Sequence, residues 1–195
     1  MSLKTFIFIG PSGCGKGTQA KLIIDYLKKN DSAPVYYLES GENFRNFIKG
    51  DSYSSKLSAE IYKKDILQPE FLAVWIWSHL LIENLKGDEH LVLDGTPRKL
   101  DEAQVLDSAM KFYDRKEVYC VFLNVSRNWS KERLLARGRM DDGKTDIEKR
   151  LDWYETDVVP AINFFRDNPK YKFVEVNGEQ TIEKVHEDIV KAVFN

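Results

Sequence analysis

Gly10-Pro11-Ser12-Gly13-Cys14-Gly15-Lys16 is a run whose residue types suit one task, the wrapping of phosphate by main chain. Placed between an apolar run and a helical pattern, the Gly-x4-Gly-Lys spacing turns backbone N–H groups toward phosphate oxygens. The following helix N-terminus adds partial positive charge, and Lys16 reaches the terminal phosphates. The strict form of such a loop has Ser or Thr directly after the lysine to ligate Mg²⁺. Here Gly17 stands there and Thr18 follows. Cys14 lies inside the loop, where the local field would lower its thiol pKa, although its expected role is that of a small filler.

A second group has the matching charge. Leu91-Val92-Leu93-Asp94-Gly95 is an apolar strand closing on a carboxylate, the place from which such proteins hold Mg²⁺ through water. Between residues 127 and 139 lie Arg127, Lys131, Arg133, Arg137 and Arg139 against one acid, Glu132. Arg133 and Arg137 are four apart on one helix face, where like charges cost about 0.2–0.5 kcal/mol, an arrangement expected where an anion is shared. Arg98 and Arg150 join the same candidate set. Guanidinium suits the task because its planar fork grips phosphate bidentately and keeps its charge. His79, His90 and His186 are scattered without nucleophile or metal spacing. Trp75 and Trp77 read as core and lining residues of an apolar helix.

These groups need a scaffold. Short apolar runs at 4–9, 35–38, 91–93, 118–123 and 172–176 read as strands. Helical patterns separate them, at about 16–29, 41–49, 55–63, 70–86, 100–113, 128–137, 145–166 and 180–193. Strands alternating with helices imply an α/β fold of three layers, five parallel strands covered on both faces. The segment 41–86 is long enough to hold a helical insertion.

Composition bounds the rest. The chain has 195 residues, 43% hydrophobic and 31% charged, which describes one domain with one core. The net charge of −2 provides no global field for nucleic acid or an acidic membrane, so any polyanion must be gripped locally. The longest apolar stretch, residues 71–82, is broken by Ser78 and His79 and is too short to span a bilayer. Two cysteines, Cys14 and Cys120, make no disulfide framework and are too few for a four-cysteine zinc site. No signal-peptide pattern opens the chain, so a reduced, cytoplasmic setting is expected.

Taken together, the motifs resemble those of the adenylate kinase family of nucleoside monophosphate kinases. The phosphate loop with its tail, through Gly17-Thr18-Gln19-Ala20, is similar to that family's version. Ser40-Gly41-Glu42-Asn43-Phe44-Arg45 resembles its T-G-D-x-x-R, and Asp94-Gly95-Thr96-Pro97-Arg98 its D-G-F-P-R. Arg133-x3-Arg137-Gly138-Arg139-Met140-Asp141-Asp142 followed by Arg150 resembles the lid of its short-lid members, and Val176-Asn177-Gly178 the late loop beside the ATP base.

The resemblance implies a single P-loop NTPase-type kinase domain with a helical acceptor-binding insertion at about 39–68 and a very short lid at about 137–143. It implies ATP·Mg²⁺ + AMP ⇌ 2 ADP. Gly13, Cys14, Gly15, Lys16, Gly17, Thr18, Arg133 and Gly178 would bind ATP, and Asp94 would hold Mg²⁺ through water. Ser40, Gly41, Arg45, Gln68, Gly95, Arg98 and Glu102 would bind the acceptor. Lys16, Arg98, Arg137, Arg139 and Arg150 would act in catalysis. A monomer without structural zinc is expected.

Three departures stand out. Glu102 occupies the place of the family's adenine-reading Gln, which opens GMP or a pyrimidine nucleotide as alternative acceptors, since an ionised carboxylate only accepts hydrogen bonds. A single residue, Gly138, separates Arg137 from Arg139, so the lid is curtailed. Asp65 stands where Gly is usual beside the acceptor base, and Ser40 replaces Thr while keeping the hydroxyl. A small-metabolite kinase is disfavoured by the Ser40–Arg45 and Asp94–Arg98 motifs. A nucleotide-operated switch is disfavoured by Gly17 and by the lack of an N-K-x-D run.

Overall fold

The structure, a computed structural model, describes residues 2–64, 66–137 and 144–194. The elements follow in the order β1 (Lys4–Ile9), α1 (Lys16–Asn30), β2 (Val35–Glu39), α2 (Ser40–Phe47), α3 (Tyr53–Lys63), α4 (Glu70–Asn84), β3 (His90–Asp94), α5 (Leu100–Phe112), β4 (Glu117–Asn124), α6 (Arg127–Arg137), α7 (Lys144–Trp153), a π-turn (Tyr154–Val158), α8 (Val159–Asp167), β5 (Lys172–Asn177) and α9 (Ile182–Phe194). The five strands form one parallel sheet in the order β2-β3-β1-β4-β5.

Alternation along β1 shows why both faces are covered. Ile7 and Ile9 pack with Leu38, Leu91, Leu93, Trp77, Leu106 and Phe165, under α4, α5 and α8. Phe6 and Phe8 point the other way and pack with Ile23, Leu27, Val121, Leu123 and Ile189, under α1 and α9. Successive side chains leave a strand on opposite sides, so a continuous apolar run is what a doubly covered parallel strand requires.

The sequence places the chemistry at one edge. From β1 the chain passes to β2, returns to β3 beside β1, then crosses to β4 on the other side. Chain direction therefore splits at the carboxyl ends of β1 and its neighbours, where a crevice opens. Gly10, Ser40, Gly95 and Gly178 each follow within a residue of a strand's end there.

The helical pattern expected at 145–166 is interrupted. Pro160 lacks an N–H and its ring crowds the carbonyl four residues back, so the ladder widens into the π-turn before α8 resumes. Helix α3 begins at Tyr53 rather than 55 because Ser52 caps it, its hydroxyl accepting from the Ser55 N–H at 3.0 Å.

The opposite end of the sheet is closed by a buried polar knot. The Lys4 N–H donates to His90 Nδ1 at 2.9 Å, which places the imidazole proton on Nε2, 3.3 Å from Asp31 Oδ2. Arg115 donates to Thr5 Oγ1 and to the carbonyls of Lys4 and Glu89 at 2.8–3.1 Å. Burial lowers the His90 pKa, with Asp31 opposing. The unfolded chain thus binds more protons here than the folded one, and this contribution to stability is present above the ordinary histidine pKa of about 6.5 and lost as pH falls below it. Thermal melts should show Tm dropping from about pH 7 to about pH 5, with a smaller slope in His90→Gln. Equal slopes would remove His90 as the source.

Candidate active site

The phosphate loop begins where β1 ends. Gly15 is the N-cap of α1 and has φ +98°, with open space where a Cβ would stand, so the backbone conformation alone calls for glycine. The first turn of α1 leaves the N–H groups of Lys16, Gly17 and Thr18 without intrahelical acceptors. Lys16 Nζ donates to the carbonyls of Gly10 and Pro11, each at 2.8 Å, and lies 3.6 Å from Cys14 Sγ. Two carbonyls thus aim the ammonium across the mouth of the loop.

Cys14 corrects the expectation of a lowered thiol pKa. Burial pushes it up, and the Lys16 charge only partly offsets this, so the thiol is an apolar filler beneath the loop.

Asp94 ends β3 nearly buried, and Tyr37 donates to its Oδ2 at 3.1 Å. Burial raises the Asp94 pKa, with Lys16 opposing. Burial also keeps the Tyr37 phenol well above its ordinary pKa, so it stays a donor. Gly17 explains itself here: a Cβ on it would stand 3.0 Å from Asp94 Oδ2. The glycine after the lysine lets the carboxylate close on the first turn of α1.

Beside the loop lies an open cleft. Its lining includes Ser40, Gly41, Arg45, Gln68, Gly95, Arg98, Glu102, Arg137 and Arg150, which brings every acceptor-side candidate together. A smaller recess is lined by Gly10, Ser12, Lys16, Gly95, Pro97, Arg98 and Trp153. Ser12, Gly95, Arg98 and Trp153 belong to both, so the recess at the lysine adjoins the arginine cleft.

Each wall residue has a reason for its pose. Ser40 Oγ donates to Gly95 O at 2.6 Å, tying α2 to the end of β3. Arg98 Nε donates to the same carbonyl at 2.9 Å. Burial lowers the Arg98 pKa, with Glu102 and Asp94 opposing, although a guanidinium stays charged. Arg45 Nη2 meets Glu39 Oε1 at 3.1 Å. The Gln68 amide is held at both ends by Ser58, accepting from Oγ at 2.8 Å and donating to O at 3.1 Å. Glu102, in the first turn of α5, accepts from Thr96 Oγ1 at 3.4 Å.

Other candidates are placed elsewhere. Thr18 is exposed on α1 and lines neither recess. The Arg133 guanidinium stacks over Trp129, 4.8 Å from the ring centroid, also outside both. Arg127 pairs with Glu148, Asp152 and Glu155, and Lys131 with Glu148, so two of the five basic residues of the run clamp α6 to α7 and the π-turn. Gly178 donates its N–H to Asn124 O at 2.8 Å beside the phosphate loop. Arg139, Gly138, Asp141, Asp142 and Asp65 lie outside the described residues. The structure adds Tyr37, Glu39 and Trp153; alternation along β2, which puts Tyr37 and Glu39 on one face, was the one signal for those two, and Trp153 had none.

Among the described residues no three His, Cys, Asp or Glu side chains gather as a metal cluster. The chemistry of Asp94 still fits Mg²⁺, which commonly takes one carboxylate, water and substrate phosphate oxygens. Its carboxylate is buried beside the loop whose amides face phosphate, and a cation there would compensate its burial. No helix among the described residues is long and apolar enough to cross a membrane.

A phosphate loop adjoining an arginine-lined cleft defines a P-loop phosphotransferase. The family model described as adenylate kinase matches residues 8–170, and the chain belongs to the adenylate kinase family, as an ATP-dependent nucleoside monophosphate phosphotransferase. It is 28% identical to adenylate kinase 1 of a Nostoc species, over 94% of this chain and 95% of the relative. It is 30% identical to an adenylate kinase of Azobacteroides pseudotrichonymphae, over 95% of each. A third adenylate kinase, of Prochlorococcus marinus strain MIT 9515, is 31% identical over 90% of this chain and 92% of its own.

Proposed function

We propose that this chain catalyses the reversible, Mg²⁺-dependent transfer of the γ-phosphoryl group of ATP to AMP, giving two ADP. The observation that carries this reading is the shared wall of Ser12, Gly95, Arg98 and Trp153, which sets the recess at Lys16 against the arginine-lined cleft.

In this scheme the loop amides from Gly13 to Thr18 and Lys16 hold the donor phosphates, with Arg133 and Gly178 toward the ATP base. Asp94 would hold Mg²⁺ through water, and the ion when bound would supply positive charge to offset that of the donor phosphates. Arg45 and Arg98 grip the acceptor phosphate, and Ser40, Gly41, Gly95, Gln68 and Glu102 line its pocket. Arg137, Arg139 and Arg150 close on the transferring group. The attacking phosphate oxygen is already anionic, so no general base is needed. Catalysis is then positioning and charge stabilisation. Residues 39–68 serve as the acceptor-binding insertion and 137–143 as a short lid, in a monomeric, cytoplasmic enzyme whose two thiols are free and buried.

The test is formation of ADP from ATP with AMP, GMP, CMP and UMP as acceptors. AMP should give the highest kcat/KM; a preference of about a hundredfold for GMP would overturn the choice of base. GMP stands as the second reading because Glu102 puts a carboxyl in the cleft wall. Asp94→Asn should raise the Mg²⁺ concentration giving half-maximal rate by roughly 10–100-fold. An unchanged Mg²⁺ requirement would remove Asp94 from this role.

A further inference from the structure

We propose that Tyr37 is a positioning residue for phosphoryl transfer: its phenol aims the Asp94 carboxylate, so that Mg²⁺ affinity depends on a hydroxyl outside the lining of either recess. This rests on the Mg²⁺ role given to Asp94 above and goes beyond it by naming what holds that carboxylate in place.

The sheet sets up the contact. In the pairing of β2 with β3, Tyr37 stands opposite Val92 and Glu39 opposite Asp94. The half-buried Tyr37 ring packs with Val92 and Phe8 on the α1 side of the sheet. Held there, it carries its hydroxyl one strand over, to Asp94 Oδ2 at 3.1 Å. A Cβ on Gly17 would stand 3.0 Å from the same oxygen, so Oδ2 meets both the phenol and the first turn of α1.

Asp94 needs such a partner. It is only 7% exposed, and a buried carboxylate left without hydrogen bonds is costly. Among the described residues Tyr37 is the one side chain that hydrogen-bonds this carboxylate, and Oδ1 has no hydrogen-bond partner. The nearby ammonium is engaged elsewhere, since Lys16 Nζ donates to Gly10 O and Pro11 O. Glu39, the neighbour in register, carries the same sign as Asp94 and is drawn instead to Arg45 at 3.1 Å. The phenol is therefore left to Asp94.

The chemical type of this donor matters. A lysine or arginine in its place would cancel the charge that a cation requires, whereas a neutral O–H fixes the carboxylate and leaves its charge intact. A purely structural tyrosine would act through its ring, and Tyr37→Phe keeps that ring against the core. The variant thus removes the hydrogen bond alone.

The experiment measures Mn²⁺ binding to the protein–ATP complex, read from the free-ion electron paramagnetic resonance signal with protein in excess over ATP. Mn²⁺ stands in for Mg²⁺ because both suit carboxylate, water and phosphate oxygen. The proteins compared are the wild type, Tyr37→Phe, Asp94→Asn and the double variant. Tyr37→Phe should weaken Mn²⁺ roughly tenfold, while ATP affinity in EDTA and KM for AMP stay within about twofold. In the Asp94→Asn background the same change should cost less than about twofold, because Tyr37 acts through the carboxylate. Replacing Tyr37 by 4-aminophenylalanine, which keeps a neutral N–H donor on the ring, should restore most of the lost affinity. Should Tyr37→Phe not fold, 4-fluorophenylalanine takes its place, matching the hydroxyl in size without its proton. Unchanged Mn²⁺ affinity without the phenol, an equal loss in both backgrounds, or parallel losses of metal-free ATP and AMP would overturn the proposal. Unchanged Mn²⁺ affinity in Asp94→Asn would overturn the Mg²⁺ assignment beneath it, and the proposal with it.

Discussion

Lys16→Ala is expected to lower turnover by on the order of 10²–10³-fold, the loss typical when one preorganised donor is removed from developing negative charge. Lys16 Nζ lies where two carbonyls, Gly10 O and Pro11 O, fix it at 2.8 Å across the loop. That fixation matters because a charge already oriented needs no reorganisation when phosphoryl charge shifts. The variant also leaves two carbonyls without their donor, which would cost about 1–3 kcal/mol if both stayed dry. Lys16→Met separates the effects by keeping most of the stem volume while removing the charge. A stopped assay of ADP formation, with thermal melts on the same samples, gives the check. Both variants should lose turnover alike while differing in Tm; near-wild-type turnover in either would remove Lys16 from the reaction.

Much of this site is legible in the sequence because its parts are local. The run 4–9 becomes β1 with those bounds, since after Lys4 five consecutive apolar or β-forming residues admit one environment, the middle of a parallel sheet. The phosphate loop is likewise a local object, its glycines and lysine read within seven residues. What escapes is whatever depends on partners far along the chain. Arg127 and Lys131 look like free cations within their own window, and the acids that claim them, Glu148, Asp152 and Glu155, lie 17–28 residues further on. Tyr37 and Asp94 meet across 57 positions, joined by the pairing of β2 with β3. Cys14 shows a competition of magnitudes: the Lys16 field is visible in the sequence, whereas burial, which prevails, is a property of the packed loop. The π-turn at Tyr154–Val158 belongs with these, since Pro160 announces a perturbation without saying which widening the neighbours accept.

Arg150→Ala carries the largest expected loss, about 10³–10⁵-fold in kcat, the range for one arginine that neutralises charge in phosphoryl transfer. Arg150 is 9% exposed at the end of α7 and shares the cleft with Arg98 and Arg137. Its charge is among those that push the Arg98 pKa down, so the folded chain gathers like charges at a point where they repel. Removing Arg150 relieves part of that repulsion, while its own polar contacts and packing are lost, and the two changes act against each other. The helix itself is anchored by Ile147 and Leu151 against Leu134, none of which changes. Tm should therefore move by only about 2–4 °C, the shift that 1 kcal/mol produces in a chain of this size. Activity and stability thus separate, as expected where a fold accommodates repulsion for chemistry. Arg150→Lys keeps the charge but not the planar fork, and should recover part of the rate if bidentate contact matters. Because the role assigned to Arg150 is to hold charge that develops during transfer, kcat and kcat/KM should fall together with little change in KM for AMP. An unchanged kcat with a raised KM would make Arg150 a ground-state clamp on the acceptor instead.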